Sequence, residues 1–371
     1  MRRHVTRRAV LASVGATSLA GCLGGTGNDE PRSAADKEST DRSESAESGP
    51  PTAEQRHPLP MEPARLKNRA VSGGPPKDGI PSIDDPTFEP ADAATEKLEP
   101  GDPVFGIATG ETAKAYPQRI LVHHEICNDS IDGRPIAVTY CPLTGTAMGF
   151  ERGETTFGVS GRLANNNLIM YDRATETWWP QVLATAIPGP WNDDPAIRSL
   201  REFRVVWTTW ERWTAVHPDT RALSTKTGFA REYGLDPYGS YNPRTGYYSP
   251  ESDPRFPAFS GDRQLARKRV VIGARSADGA AAFLKDTLRA EKLINGELGG
   301  SPVVAVYEPT LDTGYVFGNP EDEQFEYRDG QLVDEAGETY APSSPPGERI
   351  LAFDAMWFAW SGFYPETTLY A

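Results

Sequence analysis

A thiol and a histidine–glutamate pair are the groups in this chain most able to do chemistry. Cys141 stands in TYCPLTGTAMGF, and His124 and Glu125 stand in RILVHHEICND. Cys141 follows a predicted strand and precedes Pro142 and a Gly/Thr turn, a place where functional side chains often sit. A thiol becomes a nucleophile or a metal ligand where a neighbour favours thiolate. A carboxylate beside an imidazole raises its basicity, and a charged imidazole near a thiol favours thiolate. Cys141, His124 and Glu125 are therefore the candidate catalytic set. The same three could hold a transition metal, since thiolate and imidazole suit copper, zinc or iron. Two plainer readings stand beside these. Cysteine is among the most buried residue types, and an oxidising compartment permits a Cys127–Cys141 disulfide. No CxxC or Cys/His zinc spacing is present, which argues against a closed structural zinc site.

A second polar cluster lies in VSGRLANNNLIMYDRATETWWPQ. Ser160, Asn165, Arg173 and Gln181 could ring a polar ligand against the face of Trp178, with Arg119 from the preceding segment. Arg231 and Tyr238, in a Tyr/Gly/Pro-rich stretch further on, could close over the site. His123 reads as a solvated or packing residue, and His217 belongs to a helix end.

The elements that must position these residues are mostly short strands. PIAVTY, TTFGVSG, LIMYDR and FRVVW carry β-branched and aromatic residues between Gly and Asn breaks. Helices are predicted at about 117–126, at 280–293 and over TTWERWTAVHPD. The expected fold class is α+β and strand-rich, in two tandem duplicated lobes. The duplication is read from a gapless pairing of 105–150 with 272–317, in which PIAVTY lies over PVVAVY. WERWTAVHPDTRAL at 210–223 resembles WFAWSGFYPETTLY at 357–370. Under this pairing His124 faces Glu291, Glu125 faces Lys292 and Cys141 faces Glu308, so the reactive set belongs to the first lobe alone.

The N-terminus reads as an export signal. Thr6-Arg7-Arg8 follows a basic start, an apolar run covers 9–20, and Leu19-Ala20-Gly21-Cys22 closes it. Paired arginines ahead of a short apolar run point to twin-arginine export. Cys22 fits a lipidation site, which would hold the chain on the outer face of the cytoplasmic membrane. The expected organisation is a twin-arginine lipoprotein signal over 1–22 and a disordered tether over 23–58, poor in large apolar residues. Lobe one with the candidate site follows over 59–225, then a connector over 226–264 and a degenerate second lobe over 265–371. The formal net charge is −14, and removal of Arg2, Arg3, Arg7 and Arg8 with the signal takes it to about −18. Such an acidic surface suits concentrated salt, which screens self-repulsion, and argues against nucleic acid as a partner. The expected partners are the membrane, through the lipid, and an unidentified small-molecule ligand.

Four segments together carry a family resemblance: SGGPPKDGIPSIDDPTF, AKAYPQRILVHHEICND, VTYCPLTGTAMGF and FGVSGRLANNNLIMYDRATETWWPQ. They resemble the bacterial and archaeal family called domain of unknown function 3179, from about residue 70 to 371. The family pattern has His-Glu at His124-Glu125 and Cys-Pro-Leu at Cys141-Pro142-Leu143. The resemblance implies a second cysteine in many members where this chain has Thr144, and some members look like selenoproteins, which implies redox use. Thr144 weakens a dithiol mechanism here, and Asn166-Asn167 stands where members often show Ser-Asp. The resemblance fixes no activity. The competing functions are thiol redox or metal-dependent chemistry at Cys141, His124 and Glu125, non-catalytic binding of a small ligand at the cell surface, and a purely structural surface role.

Overall fold

In the computed structural model, residues 49–110 and 112–371 are described. The predicted signal, Cys22 and most of the predicted tether lie outside them. Residues 49–58 are not tether but packed chain. Thr52 bridges Leu200, the Ala53 N–H reaches Ser199 O at 2.8 Å, and His57 Nε2 meets Glu202 at 2.7 Å. Polar backbone offered by 199–202 thus captures a segment that lacks apolar anchors of its own.

The chain is built mainly of strands, as α+β patterning predicts. The first region opens with β1 (Pro103–Thr109) and β2 (Thr112–Pro117), followed by the short helix α1 (Gln118–Leu121). Next come β3 (Ile126–Ile131), β4 (Arg134–Cys141) and β5 (Thr146–Glu151). A hairpin of β6 (Phe157–Ala164) and β7 (Asn167–Asp172) leads into β8 (Trp178–Pro180). The region ends with β9 (Glu202–Phe203), β10 (Val206–Thr209), α2 (Trp210–Val216) and β11 (Arg221–Leu223). One sheet runs β10-β1-β2-β11, with β11 parallel to β2, and continues to a short strand at Phe88–Pro90. A second runs β9-β5-β4-β3. The third contains β6, β7 and β8.

The connector contributes a hairpin, β12 (Gly239–Tyr241) and β13 (Arg244–Gly246). The second region then runs β14 (Val270–Arg275), β15 (Ala280–Leu284), α3 (Lys285–Glu291) and β16 (Leu293–Leu298). It continues with β17 (Ser301–Glu308), β18 (Thr313–Gly318), β19 (Arg349–Ile350), β20 (Ala352–Met356), α4 (Trp357–Phe363) and β21 (Thr368–Tyr370). Its sheets run β20-β14-β15-β21, with β21 parallel to β15, and β16-β17-β18-β19.

Two predicted helices are shorter than expected. Of 117–126 only one turn is helical. Of 280–293 the first part, AAAFL, is a fully buried strand. A wholly apolar run of five residues suits a strand paired on both edges, and β15 lies between β14 and β21.

The same packing device recurs in both regions. A Cβ on Gly106 would lie 2.3 Å from the Trp213 ring, and one on Gly273 would lie 2.3 Å from the Trp360 ring. Trp213 Nε1 donates to Thr220 Oγ1 at 2.9 Å, and Trp360 Nε1 to Thr367 Oγ1 at 3.0 Å. In each region an indole lies flat on a glycine in the first strand of a sheet, which no larger residue would allow.

Polar contacts tie the regions together. Glu202 and Arg275 form a buried ion pair at 2.6 Å. Arg204 donates to Ala352 O, to Thr313 Oγ1 at 2.7 Å and to Gly314 O at 2.8 Å. Met356 N–H donates to Thr144 O at 2.9 Å.

Candidate functional site

The pleat of β4 decides where its thiol points. Alternate residues face opposite sides, so Ile136, Val138 and Tyr140 enter one core while Ala137 and Cys141 enter another. Cys127 is paired with Val138 across the ladder and enters the core that holds Tyr140. The two cysteines therefore lie on opposite faces of the sheet, and both are free. The disulfide alternative is excluded by this register.

Cys141 is 1% exposed. Its Sγ donates to Asn166 O at 3.5 Å and accepts from Leu168 N–H at 3.4 Å. Burial, with the nearby Glu125 carboxyl, pushes the thiol up to about 11. A thiol held neutral in this way is not a resting nucleophile at neutral pH.

Glu125 owes its position to backbone shape. α1 ends after one turn, the Glu125 N–H donates to Leu121 O at 2.7 Å, and Glu125 itself is left-handed, with φ of 59°. Its carbonyl accepts from Tyr140 N–H at 2.7 Å, which locks the turn against β4. The side chain is buried beside Cys141, and burial alone pushes its carboxyl up to about 8. Connector tyrosines cover this pair. Tyr238 packs against the core that holds Cys141, and burial, then the Glu125 and Cys141 groups, raises its hydroxyl; Tyr247 OH donates to Leu143 O at 2.7 Å. The structure thus brings together Cys141, Glu125 and Tyr238 among the predicted site residues.

His124 points elsewhere. Its Nδ1 donates to Pro81 O at 2.8 Å and its Nε2 accepts from Tyr233 OH at 2.7 Å. Burial lowers its pKa to about 4, so the ring is neutral at physiological pH. Both nitrogens are engaged, so His124 supplies neither a base nor an imidazolium to Cys141. The expected metal set His124–Glu125–Cys141 is likewise not assembled. Among the described residues no three His, Cys, Asp or Glu side chains gather closely enough to hold an ion.

Most of the predicted ligand ring is committed to internal bonds. Asn165 donates to Ala359 O at 3.0 Å and accepts from Phe259 N–H at 2.7 Å. With Asn166 it forms the left-handed two-residue turn between β6 and β7, which explains the asparagines. Ser160 donates to Ile169 O where a bulge interrupts the β6–β7 ladder. Gln181 bonds to both Thr139 and Thr146 in the core, and Trp178 is buried there. Arg173 pairs with Asp78 and Asp84, and Arg119 bonds to Lys97 O and Asp102. Arg231 is exposed and donates to the neighbouring Ala230 carbonyl.

A feature that the sequence did not point to lies between the two regions. A cleft of about 580 Å³ is walled by Trp207, Tyr241 and Met356 and edged by Arg212, Arg244 and Lys285. Trp207 and Tyr241 meet edge to face at 4.8 Å. Gly145, on the turn after Cys141, lines the same cleft. These residues come from three distant segments, so no local motif announces them. The WERW run and the Tyr-rich connector were visible, but not their meeting.

The architecture and site define a strand-rich α+β protein that buries a thiol and a carboxylic acid under a tyrosine-rich connector, beside a mixed aromatic and cationic cleft. The chain belongs to the family described as Protein of unknown function (DUF3179), which it matches over residues 77–367. No curated protein and no solved structure matches it.

Proposed function

We propose that this chain is a binding protein of the cell surface, exported by the twin-arginine route and anchored by a lipid on Cys22, and that it holds a small molecule in the cleft between its two regions. The cleft carries the reading. Its volume of about 580 Å³ falls within the range of small-molecule sites, and an apolar wall with a few convergent polar groups is their usual lining. Thiol redox chemistry takes second place. The observation in its favour is the closeness of Glu125 to Cys141, but the thiol is neutral and buried, and His124 is turned away.

The two regions are further read as copies of one ancestral unit. The shared strand orders, the parallel closing strands and the repeated tryptophan-on-glycine contact support this. In that reading the cleft arises where the copies and the connector meet. The acidic composition supports a protein kept soluble in concentrated salt.

Two experiments test the proposal. Cys22→Ser is expected to release folded protein into the medium, and retention on membranes as firm as wild type would remove the anchor. Melting of the purified chain is measured against sugars, amino acids, organic acids and nucleotides. At least one class is expected to raise the midpoint in wild type and not in Trp207→Ala. No shift with any class would overturn the binding reading.

A further inference from the structure

We infer that the cleft takes a small organic anion, a carboxylate or phosphoryl group on an apolar body, and that Arg212 and Arg244 receive it. The inference rests on the cleft being the binding site. Five cationic side chains and four carboxylates line it. Three of the carboxylates are already engaged. Asp354 pairs with Lys285 at 2.6 Å, Asp286 with Arg269 at 2.8 Å, and Asp312 with Arg289 at 2.9 Å. Arg212 and Arg244 have no carboxylate partner among the described residues. Arg212 donates from Nη1 to Pro309 O at 2.6 Å and Thr310 O at 3.0 Å, and Arg244 donates from Nη2 to Lys268 O at 3.2 Å. Main-chain carbonyls fix both guanidinium groups without neutralising them.

Donors are also left over. Arg212 bonds through Nη1 and Arg244 through Nη2, so among the described residues Arg212 Nη2 and Arg244 Nη1 make no hydrogen bond and are the donors left for an oxyanion. Guanidinium groups match carboxylate and phosphate in planar, two-point geometry. Two uncompensated arginines are also unexpected at one place in a chain of net charge −14, where carboxylates to pair them abound. The fourth carboxylate, Glu251, is exposed at the cleft and would repel the ligand on entry. The ligand is an organic anion and not an inorganic one, because the cleft has about 580 Å³ and an aromatic wall that a bare ion would leave empty.

Calorimetric titration of the purified chain with matched probes tests this: benzoate against benzamide, and phenyl phosphate against phenol. At least one anion is expected to bind about tenfold or more tightly than its neutral partner, because charge-assisted bonds exceed neutral ones. Which anion is preferred distinguishes carboxylate from phosphoryl ligands. Arg212→Gln and Arg244→Gln are expected to remove that preference, bringing the anion to the affinity of its neutral partner, with circular dichroism as the check on folding. Neutral probes that bind as tightly as anions, and are lost in Trp207→Ala, would overturn the anion assignment while the cleft remains the site. Binding that Trp207→Ala leaves unchanged would overturn the cleft itself. Failure of all four probes to bind would overturn the inference.

Discussion

The turn before β3 and the turn before β16 share a backbone and differ in what they bury. Lys292 caps α3 and Glu125 lies three residues past the cap of α1, and both are left-handed, with φ of 69° and 59°. Each receives nearly the same pair of hydrogen bonds. Glu125 N–H reaches Leu121 O and Lys292 N–H reaches Leu288 O, while Tyr140 and Tyr307 donate to the carbonyls at 2.7 and 2.8 Å. The Lys292 side chain then turns back to Arg289 O at 2.6 Å, whereas the Glu125 carboxyl goes into the interior beside Cys141. At the far end of the strands, Glu308 stands where Cys141 does. Its carboxylate accepts the N–H groups of Thr310 and Leu311 and closes the turn. The comparison teaches that the helix cap and the strand register are properties of the scaffold. The first region differs in what it buries there, a carboxyl and a thiol that burial keeps protonated.

The largest expected effect tests whether the scaffolds are equivalent. Trp213→Ala and Trp360→Ala should each destabilise the protein by about 3–5 kcal/mol, as large aromatic deletions from cores do. Gly106→Ala and Gly273→Ala should each cost about 1–3 kcal/mol through overpacking. Denaturant melts would show the two regions responding alike. A large loss in one region and almost none in the other would break the comparison.

Next comes pH, which should separate Glu125 from Lys292. A carboxyl raised to about 8 in the folded chain keeps its proton there while the unfolded chain loses it, so stability falls as pH rises toward 8. His124, lowered to about 4, acts in the opposite sense, losing stability as pH falls from its unfolded value of about 6.5 through 4. The two oppose each other at lower pH, and between about 6.5 and 8 Glu125 acts alone of this pair. There Glu125 should contribute a loss of up to about 1.4 kcal/mol per pH unit, opposed above pH 7 by Lys268, which burial lowers to about 7. Glu125→Gln should remove the Glu125 contribution, and Lys292→Gln should not. Equal slopes in wild type and Glu125→Gln would show that the carboxyl is ionised in the fold.

A smaller effect concerns the thiols. Cys141 and Cys127 should both resist alkylation in native protein at pH 7 and react on unfolding, since each is buried and raised. Rapid native labelling of Cys141 alone would restore the thiol-chemistry reading.

How far these features were legible in the sequence follows from their range. The strand-rich class, the strand character of PIAVTY and PVVAVY and the placing of Glu125 near Cys141 rest on local pattern and on a hairpin register set within about twenty residues. The Cys127–Cys141 pairing had to be rejected from the pleat, because sequence shows the spacing but not which face each thiol takes. His124 was misjudged because its partners, Pro81 O and Tyr233 OH, lie about 43 and 109 residues away in the chain. The polar cluster at 160–181 looked like a ligand ring because buried turn and bulge residues carry the same amides and hydroxyls as a binding site. The cleft was invisible for the converse reason. Its walls belong to β10, the β12–β13 hairpin and the second region, and their juxtaposition is a product of the tertiary fold.

The most direct test of the binding account is the electron density of a crystal soaked with whichever small molecule raises the melting midpoint most. The account predicts density for the ligand against Trp207 and Tyr241, with its oxyanion on Arg212 and Arg244. Density instead among Ser160, Asn165 and Arg173, or at Cys141, with the cleft unchanged, would contradict it.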